Sequence, residues 1–353
     1  MSGIVSVDTS ADDDPVIEED DWNLPMDFAL FARHERHPVY FDYCVRNARD
    51  HWFYIECVES LTPVDMMSLS DGTHDTTGHC VWMGAFLLIA CLAADDEKLR
   101  NIFSNKNVIE LGCGTGIGGL AVLLNPSRTD SSTREERGSH DHSTGGASFL
   151  LFTDADPDAL RLCERNCDIN FDKSDGCDSE RTIRNDYRIQ ALKWGQTPLP
   201  EGTFTDAQGQ TLDSFDVVLA TDVLYDIGLL PALFSTAAAC LKERGVFVLS
   251  HVPRACYNSD NPPAQLLDPD NSRPFTNDND IALTPLEAFI IRRATSFDFQ
   301  LLTIIRPCHL QAKEHDLVGS PTASARFSDA INAVTLEEMD QVGAAVFVFE
   351  RIA

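Results

Sequence analysis

Four glycines at alternate positions, Gly112, Gly114, Gly116 and Gly118, follow a short apolar run that carries the acid Glu110. An apolar run, a glycine turn and an apolar helical pattern together read as strand, tight turn and helix N-terminus. α/β proteins cradle nucleotide-like ligands with that arrangement. Gly114, Gly116 and Gly119 also fit the dinucleotide spacing, which is weak by itself. Asp154 closes a second apolar run, where a carboxylate can hold both hydroxyls of a ribose, in a dehydrogenase or elsewhere. Glu110 separates the two classes of ligand. A carboxylate beside the turn disfavours a pyrophosphate and favours a ligand bearing an ammonium or sulfonium. A third acid, Asp222, follows the apolar run Val217 to Ala220, with Tyr225 three residues on. Acids at the carboxyl ends of buried strands face the crevice where such sheets bind ligands. His251 also follows a strand, in a structural or loop-positioning role or at a substrate site. Asp156, just before Pro157, reads as the N-cap of the next helix.

These residues need a frame that brings them together. The pattern predicts strands at 107–112, 149–154, 187–192, 215–220, 245–250, 298–306 and 343–351. It predicts helices at 116–124, 157–170, 229–242 and 284–296. Strands alternating with helices imply a mostly parallel sheet with helices on both faces. The last strand has no obvious crossover helix before it and is expected to be the antiparallel member. Gly78 to Leu92 reads as a buried helix carrying Trp82. Val39–Val45 and His51–Val58 read as a β-hairpin. The domain reading is a disordered acidic leader over 1–30, a hairpin extension over 31–76 and one domain over 77–353. Polar, aperiodic insertions interrupt that domain at 125–147, 258–280 and 313–338.

Composition narrows the partners. A net charge of −29 opposes nucleic-acid binding, which relies on Lys and Arg to neutralise phosphates. Eight acids crowd the first 21 residues with no base among them, so a cationic macromolecule is the expected partner. No apolar run is long enough to span a bilayer. The eleven cysteines include no CxxC pair and fall mostly in apolar stretches, as buried thiols do, so no metal site is expected. With no secretory pattern, a reducing cytoplasmic or nuclear compartment is expected.

Val108-Ile-Glu-Leu-Gly-Cys-Gly-Thr-Gly-Ile-Gly-Gly-Leu120 resembles motif I of the seven-β-strand S-adenosylmethionine-dependent methyltransferases. Four more blocks resemble methyltransferase family 16, mostly protein lysine methyltransferases. They are Thr77 to Ala85 with Trp82, Thr153-Asp154 with Leu160 and Asn166 to Asn170 downstream, Ala191 to Gly195 with Trp194, and Leu219 to Tyr225. The five blocks occur in the family's order over roughly residues 77 to 252. The resemblance implies a Rossmann-like seven-stranded fold with its last strand antiparallel. It implies S-adenosyl-L-methionine as cofactor and S-adenosyl-L-homocysteine as product. On this resemblance Trp82 lies against the methionine end, Gly112, Cys113 and Gly114 pass beneath it, and Gly116 continues the turn. Asp154 holds the ribose, Trp194 borders the adenine and Ala220 meets the cofactor at the fourth strand. Asp222 and Tyr225 match an Asp-x-x-Tyr motif facing the methyl group and the incoming amine.

A lysine ammonium, with a pKa of about 10.4, must lose a proton before it can attack. A carboxylate beside it favours the charged form, so Asp222 is expected to dock and orient the amine rather than deprotonate it. The leading expectation is a monomeric protein lysine N-methyltransferase whose substrate has a basic surface. A protein histidine or small-molecule methyltransferase, or a catalytically weak cofactor-binding scaffold, stands as the alternative.

Overall fold

In the computed structural model, residues 40–46, 52–58, 77–93, 97–124, 146–171, 186–196, 199, 202–206, 208–253, 283–310 and 335–352 are described. The acidic leader lies outside them, as do the insertions except for 146, 147 and 335–338.

The motif residues hang on a seven-stranded sheet. Its strands are β3 (Asn107–Leu111), β4 (Phe149–Asp154), β5 (Asp186–Ala191), β8 (Phe215–Thr221), β9 (Leu241–His251), β10 (Phe299–Ile305) and β11 (Ala345–Arg351). They lie in the order β10-β11-β9-β8-β3-β4-β5. β4, β3, β8 and β9 pair in parallel, as does β5 with β4, while β11 runs antiparallel to both β9 and β10. The chain runs outward from β3 through β4 to β5, then returns to β8 on the other side of β3. That reversal opens a crevice at the carboxyl ends of β3 and its neighbours.

Consecutive strand residues point to opposite faces, and both faces are covered. Val108, Leu150, Val217, Val248 and Val346 join one buried cluster with α1 (Met83–Ala93), α3 (Ile117–Leu123) and α4 (Pro157–Phe171). Ile109, Leu151, Val218, Leu249 and Phe347 join the other with α5 (Leu230–Cys240) and α6 (Pro285–Thr295). Burying each large side chain contributes roughly 1.5–3 kcal/mol, which is why the strands read as unbroken apolar runs. On the second face Phe234 meets Phe247, Phe299 and Phe349 with ring centroids 5.6, 5.7 and 5.8 Å away.

Two short antiparallel strands, β6 (Phe204–Thr205) and β7 (Thr211–Leu212), stand beside the β5 edge. Arg188 reaches Thr205 at 2.5 Å and Gln190 the Thr203 carbonyl at 2.9 Å. Further short helices, α2 (Glu97–Phe103) and α7 (Leu336–Gln341), flank the sheet. β1 (Tyr40–Arg46) and β2 (Trp52–Val58) form the expected hairpin. Phe53, Ile55 and Cys57 of β2 bury into the same cluster as α1 and α4.

Two expected boundaries differ. The segment read as a helix from Gly78 begins as a 3-10 turn, Thr77–His79, and α1 starts only at Met83. Trp82 therefore precedes the helix. Its indole N–H donates to the Thr77 carbonyl at 2.8 Å and folds the segment back on itself. β9 begins at Leu241 instead of 245, because Leu241 pairs with Phe215 and Lys242 meets Asp216 at 2.9 Å.

Candidate functional site

A cavity of about 510 Å³ opens at the carboxyl ends of β3, β4, β5 and β8, within the range of roughly 300–1,000 Å³ common for small-ligand sites. Its walls carry Trp82, Gly112, Cys113, Gly114, Asp154, Trp194, Asp222 and Tyr225, which come from five separate segments. The sequence expectations meet here, save for Glu110, Gly116 and Ala220.

The turn after β3 is held from below. The Gly112 and Cys113 amides both donate to the Thr153 carbonyl at 2.9 Å, and the Thr153 hydroxyl donates to the Glu110 carbonyl at 2.6 Å. Gly114 has φ +50°, and a Cβ there would lie 2.9 Å from the Gly78 carbonyl oxygen. Both the conformation and the close approach exclude a side chain. The Asp154 carboxylate accepts from the Gly114 amide at 3.0 Å and, through its other oxygen, from the Asp156 amide at 3.0 Å. Burial and the neighbouring Asp156 raise its pKa, against the pull of those amides. The carboxylate lies in the cavity wall. Asp156 caps α4 as expected, accepting from the amides of Asp158 at 3.0 Å and Ala159 at 3.3 Å. Its carboxylate also meets His79 Nε2 at 3.2 Å. His79 is buried in the cavity wall; it stood in the Thr77–Ala85 block without a role of its own.

Asp222 closes the other end. It is 7% exposed and has φ +54°, an uncommon conformation for a non-glycine residue. Its Oδ2 accepts from the Gly84 amide at 3.1 Å and its Oδ1 from the Val252 amide at 3.3 Å. His251 Nδ1 lies 3.4 Å from Oδ1 and is itself buried. The Asp222 amide donates to the Ser250 carbonyl at 2.8 Å, and the Ser250 hydroxyl to the Gly84 carbonyl at 2.6 Å. A Cβ at Gly84 would come within 2.7 Å of Asp222 Cβ, so this glycine admits the contact between α1 and the end of β8. Tyr225, 38% exposed, stands at the mouth. Trp194 lies against the opposite side of the turn, with its ring edge 3.0 Å from where a Gly112 Cβ would stand.

Three expected site residues lie outside the wall. Glu110 shares the sheet face of Val108, two residues before it, and so points beneath α3 instead of into the cavity. It is fully buried and accepts from the Gly119 amide at 3.1 Å, with Thr221 Oγ1 at 3.5 Å. Burial pushes its pKa up to about 8, assisted by the Asp154 charge and opposed by the Gly119 and Thr221 bonds. Near neutral pH much of it is uncharged, so the attraction to a cationic ligand expected of it is weak. Gly116, φ +80°, starts α3 with its α-carbon against Cys163. Ala220 belongs to the buried cluster under α5 and α6; its neighbour Thr221 reaches the wall instead.

Among the described residues of that wall, Asp154, Asp156, Asp158 and Asp222 are acids, while Lys193 and His79 are the only basic side chains. The site therefore suits a cationic ligand or substrate.

A family profile described as lysine methyltransferase matches residues 62–261. Methyltransferase-like protein 22 of Mus musculus is 26% identical over 201 residues, 52% of this chain and 43% of that protein. Protein-lysine N-methyltransferase EFM3 of Saccharomyces cerevisiae is 28% identical over 177 residues, 47% of this chain and 41% of that protein. The aligned region thus spans less than half the length of either relative. Among solved structures, an S-adenosylmethionine dependent methyltransferase from Mesorhizobium loti overlays with a TM-score of 0.37 at 16% identity. That overlay covers 73% of this chain and 98% of the other.

Proposed function

The chain belongs to the lysine methyltransferase family, and we propose that it transfers a methyl group from S-adenosylmethionine to a lysine amine of a protein with a basic surface. The observation that carries this reading is the shared cavity. It joins a glycine turn and ribose-competent carboxylate at one end to Asp222 and Tyr225 at the other.

The residues fit the cofactor. Asp154 places an acceptor carboxylate in the cavity wall, and Gly112 and Gly114 let the turn's backbone line it. Trp82 and Trp194 offer ring surface, and the acidic wall tolerates positive charge. When bound, the cofactor supplies a methyl group on a positively charged sulfur. The chain's contribution is alignment, since an in-line displacement gains much of its rate from positioning. Asp222 is rigid, held by the Gly84 and Val252 amides, and both its oxygens can accept from an ammonium entering past Tyr225. Its charge stabilises the protonated amine, so it orients the substrate, and the proton leaves to water at the open mouth. Asp154 and Trp194 are left to the nucleoside.

The test is methyl incorporation from labelled S-adenosylmethionine into a cell extract, with the modified residue identified by mass spectrometry. The expected result is labelled lysine with the wild-type protein and almost none with Asp222→Asn. Label on histidine or on small molecules would replace the acceptor assigned here. No label at any protein concentration would favour a cofactor-binding scaffold.

A further inference from the structure

Asn166 and Asn170 stand one helical turn apart on α4, and both direct their amides at the backbone of β2. Asn170 Oδ1 accepts from the Tyr54 amide at 2.8 Å and its Nδ2 donates to the Tyr54 carbonyl at 2.7 Å. Asn166 repeats the pattern at Glu56, accepting from the amide at 2.7 Å and donating to the carbonyl at 3.0 Å. Alternate residues of a strand present their backbone groups to the same side. Two amides at i and i+4 of a helix thus imitate the strand that β2 lacks on that side.

Asn166 makes one bond more. Its Nδ2 also donates to the Thr115 carbonyl at 2.8 Å. Thr115 sits between Gly114 and Gly116 in the cavity wall, where φ is +50° on one side and +80° on the other. The Gly116 amide, at the other end of the same peptide plane, donates to the Cys113 carbonyl at 2.7 Å. A trans peptide is planar, so pinning its C=O and its N–H fixes the orientation of the whole unit. Gly116 on one side of it, at φ +80°, would otherwise let it rotate. Asn166 is 0% exposed, so water cannot replace a lost bond.

We propose that Asn166 is a positioning residue for the cofactor. It holds the Thr115–Gly116 peptide in its binding orientation and couples the N-terminal hairpin to the cofactor turn. This rests on the reading of the turn as the cofactor site. Asn170 makes the same hairpin bonds without reaching the turn, which makes it the internal control.

The test compares Asn166→Leu, Asn166→Asp and Asn170→Leu in S-adenosylhomocysteine affinity by calorimetry and in Tm. Both Asn166 variants are expected to weaken binding about tenfold or more, and Asn170→Leu to stay within about twofold, at comparable losses of Tm. Asn170→Leu weakening binding as much as Asn166→Leu would overturn the proposal, as would an Asn166→Leu affinity within about twofold of wild type. If the Asn166 variants do not fold, amide hydrogen exchange on the wild-type protein decides. Coupling is reciprocal, so bound S-adenosylhomocysteine must slow exchange at Glu56 more than at Tyr54. Equal protection at the two amides overturns the proposal. A wild-type protein that binds no S-adenosylhomocysteine rejects the site reading, whereas wild-type binding with an unchanged Asn166→Leu affinity rejects the Asn166 proposal alone.

Discussion

The two ends of the cavity are built on different principles. At the end proposed for the nucleoside, one contiguous turn and one acid at the end of the neighbouring strand are held together through backbone amides and close approaches. At the end proposed for the acceptor, Asp222 accepts from the Gly84 and Val252 amides and lies beside His251, which are 138, 30 and 29 residues from it in sequence. Local chemistry suffices to seat a ligand with a fixed shape. On the proposed reading, the acceptor site is assembled from elements that meet only in the folded sheet, with Tyr225 exposed at its mouth.

That contrast breaks most visibly at Asp222. Asp222→Asn keeps the shape but removes the charge proposed to orient an ammonium. Turnover is expected to fall by about a hundredfold or more, while S-adenosylhomocysteine affinity stays within a few-fold. Collapse of affinity would make Asp222 part of the nucleoside end and dissolve the distinction.

Gly119→Ala probes the opposite end through packing alone. The new Cβ would stand 2.4 Å from Phe152 Cε1 and 2.6 Å from Glu110 Oε2, so helix α3 must move off the sheet. A loss of about 1–3 kcal/mol in denaturant unfolding is expected. A stability unchanged from wild type would mean that α3 shifts freely and that the turn is not rigid.

Glu110→Gln sharpens the comparison with pH. The folded state raises this carboxyl to about 8 by burying it, so it favours the protonated form. The stabilising contribution is complete below the unfolded pKa of about 4.5 and is lost as pH rises towards 8. Wild type should therefore lose Tm relative to Glu110→Gln between pH 5 and about pH 8.5. A gap that stays constant over that range would show that Glu110 keeps its charge.

The smallest effect is expected at Tyr225→Phe. A half-exposed hydroxyl at the mouth should alter the KM for the protein substrate by a few-fold and leave cofactor affinity unchanged. A large fall in kcat at saturating substrate would instead place the hydroxyl at the reacting atoms.

Much of this was legible in the residue order. The alternating glycines, the acid after β4 and the acid after β8 are contiguous signals, and each lies at the strand end where it was expected. The N-cap Asp156 followed from its place before Pro157. Glu110 was not legible, because its side of the sheet depends on where β3 starts to pair. Counting from Val108 places it under α3, and only the pairing with β4 and β8 establishes that count. Trp82 was misplaced onto the helix because apolar periodicity extends upstream of α1, whereas its indole bond to Thr77 belongs to a turn that no periodicity describes.

The sequence by itself determined the class of sheet, the glycine turn, the acid at the end of β4 and the family, because these depend on short-range spacing and on side-chain chemistry. Only the tertiary structure decided which acid burial drives towards its neutral form and which backbone groups hold the acids in place. Burial raises Glu110 while amides from distant segments hold Asp222, and Asn166 spans 51 residues to Thr115 and 110 to Glu56. Desolvation and hydrogen bonding act through space, so they exist only once the sheet has brought those segments together.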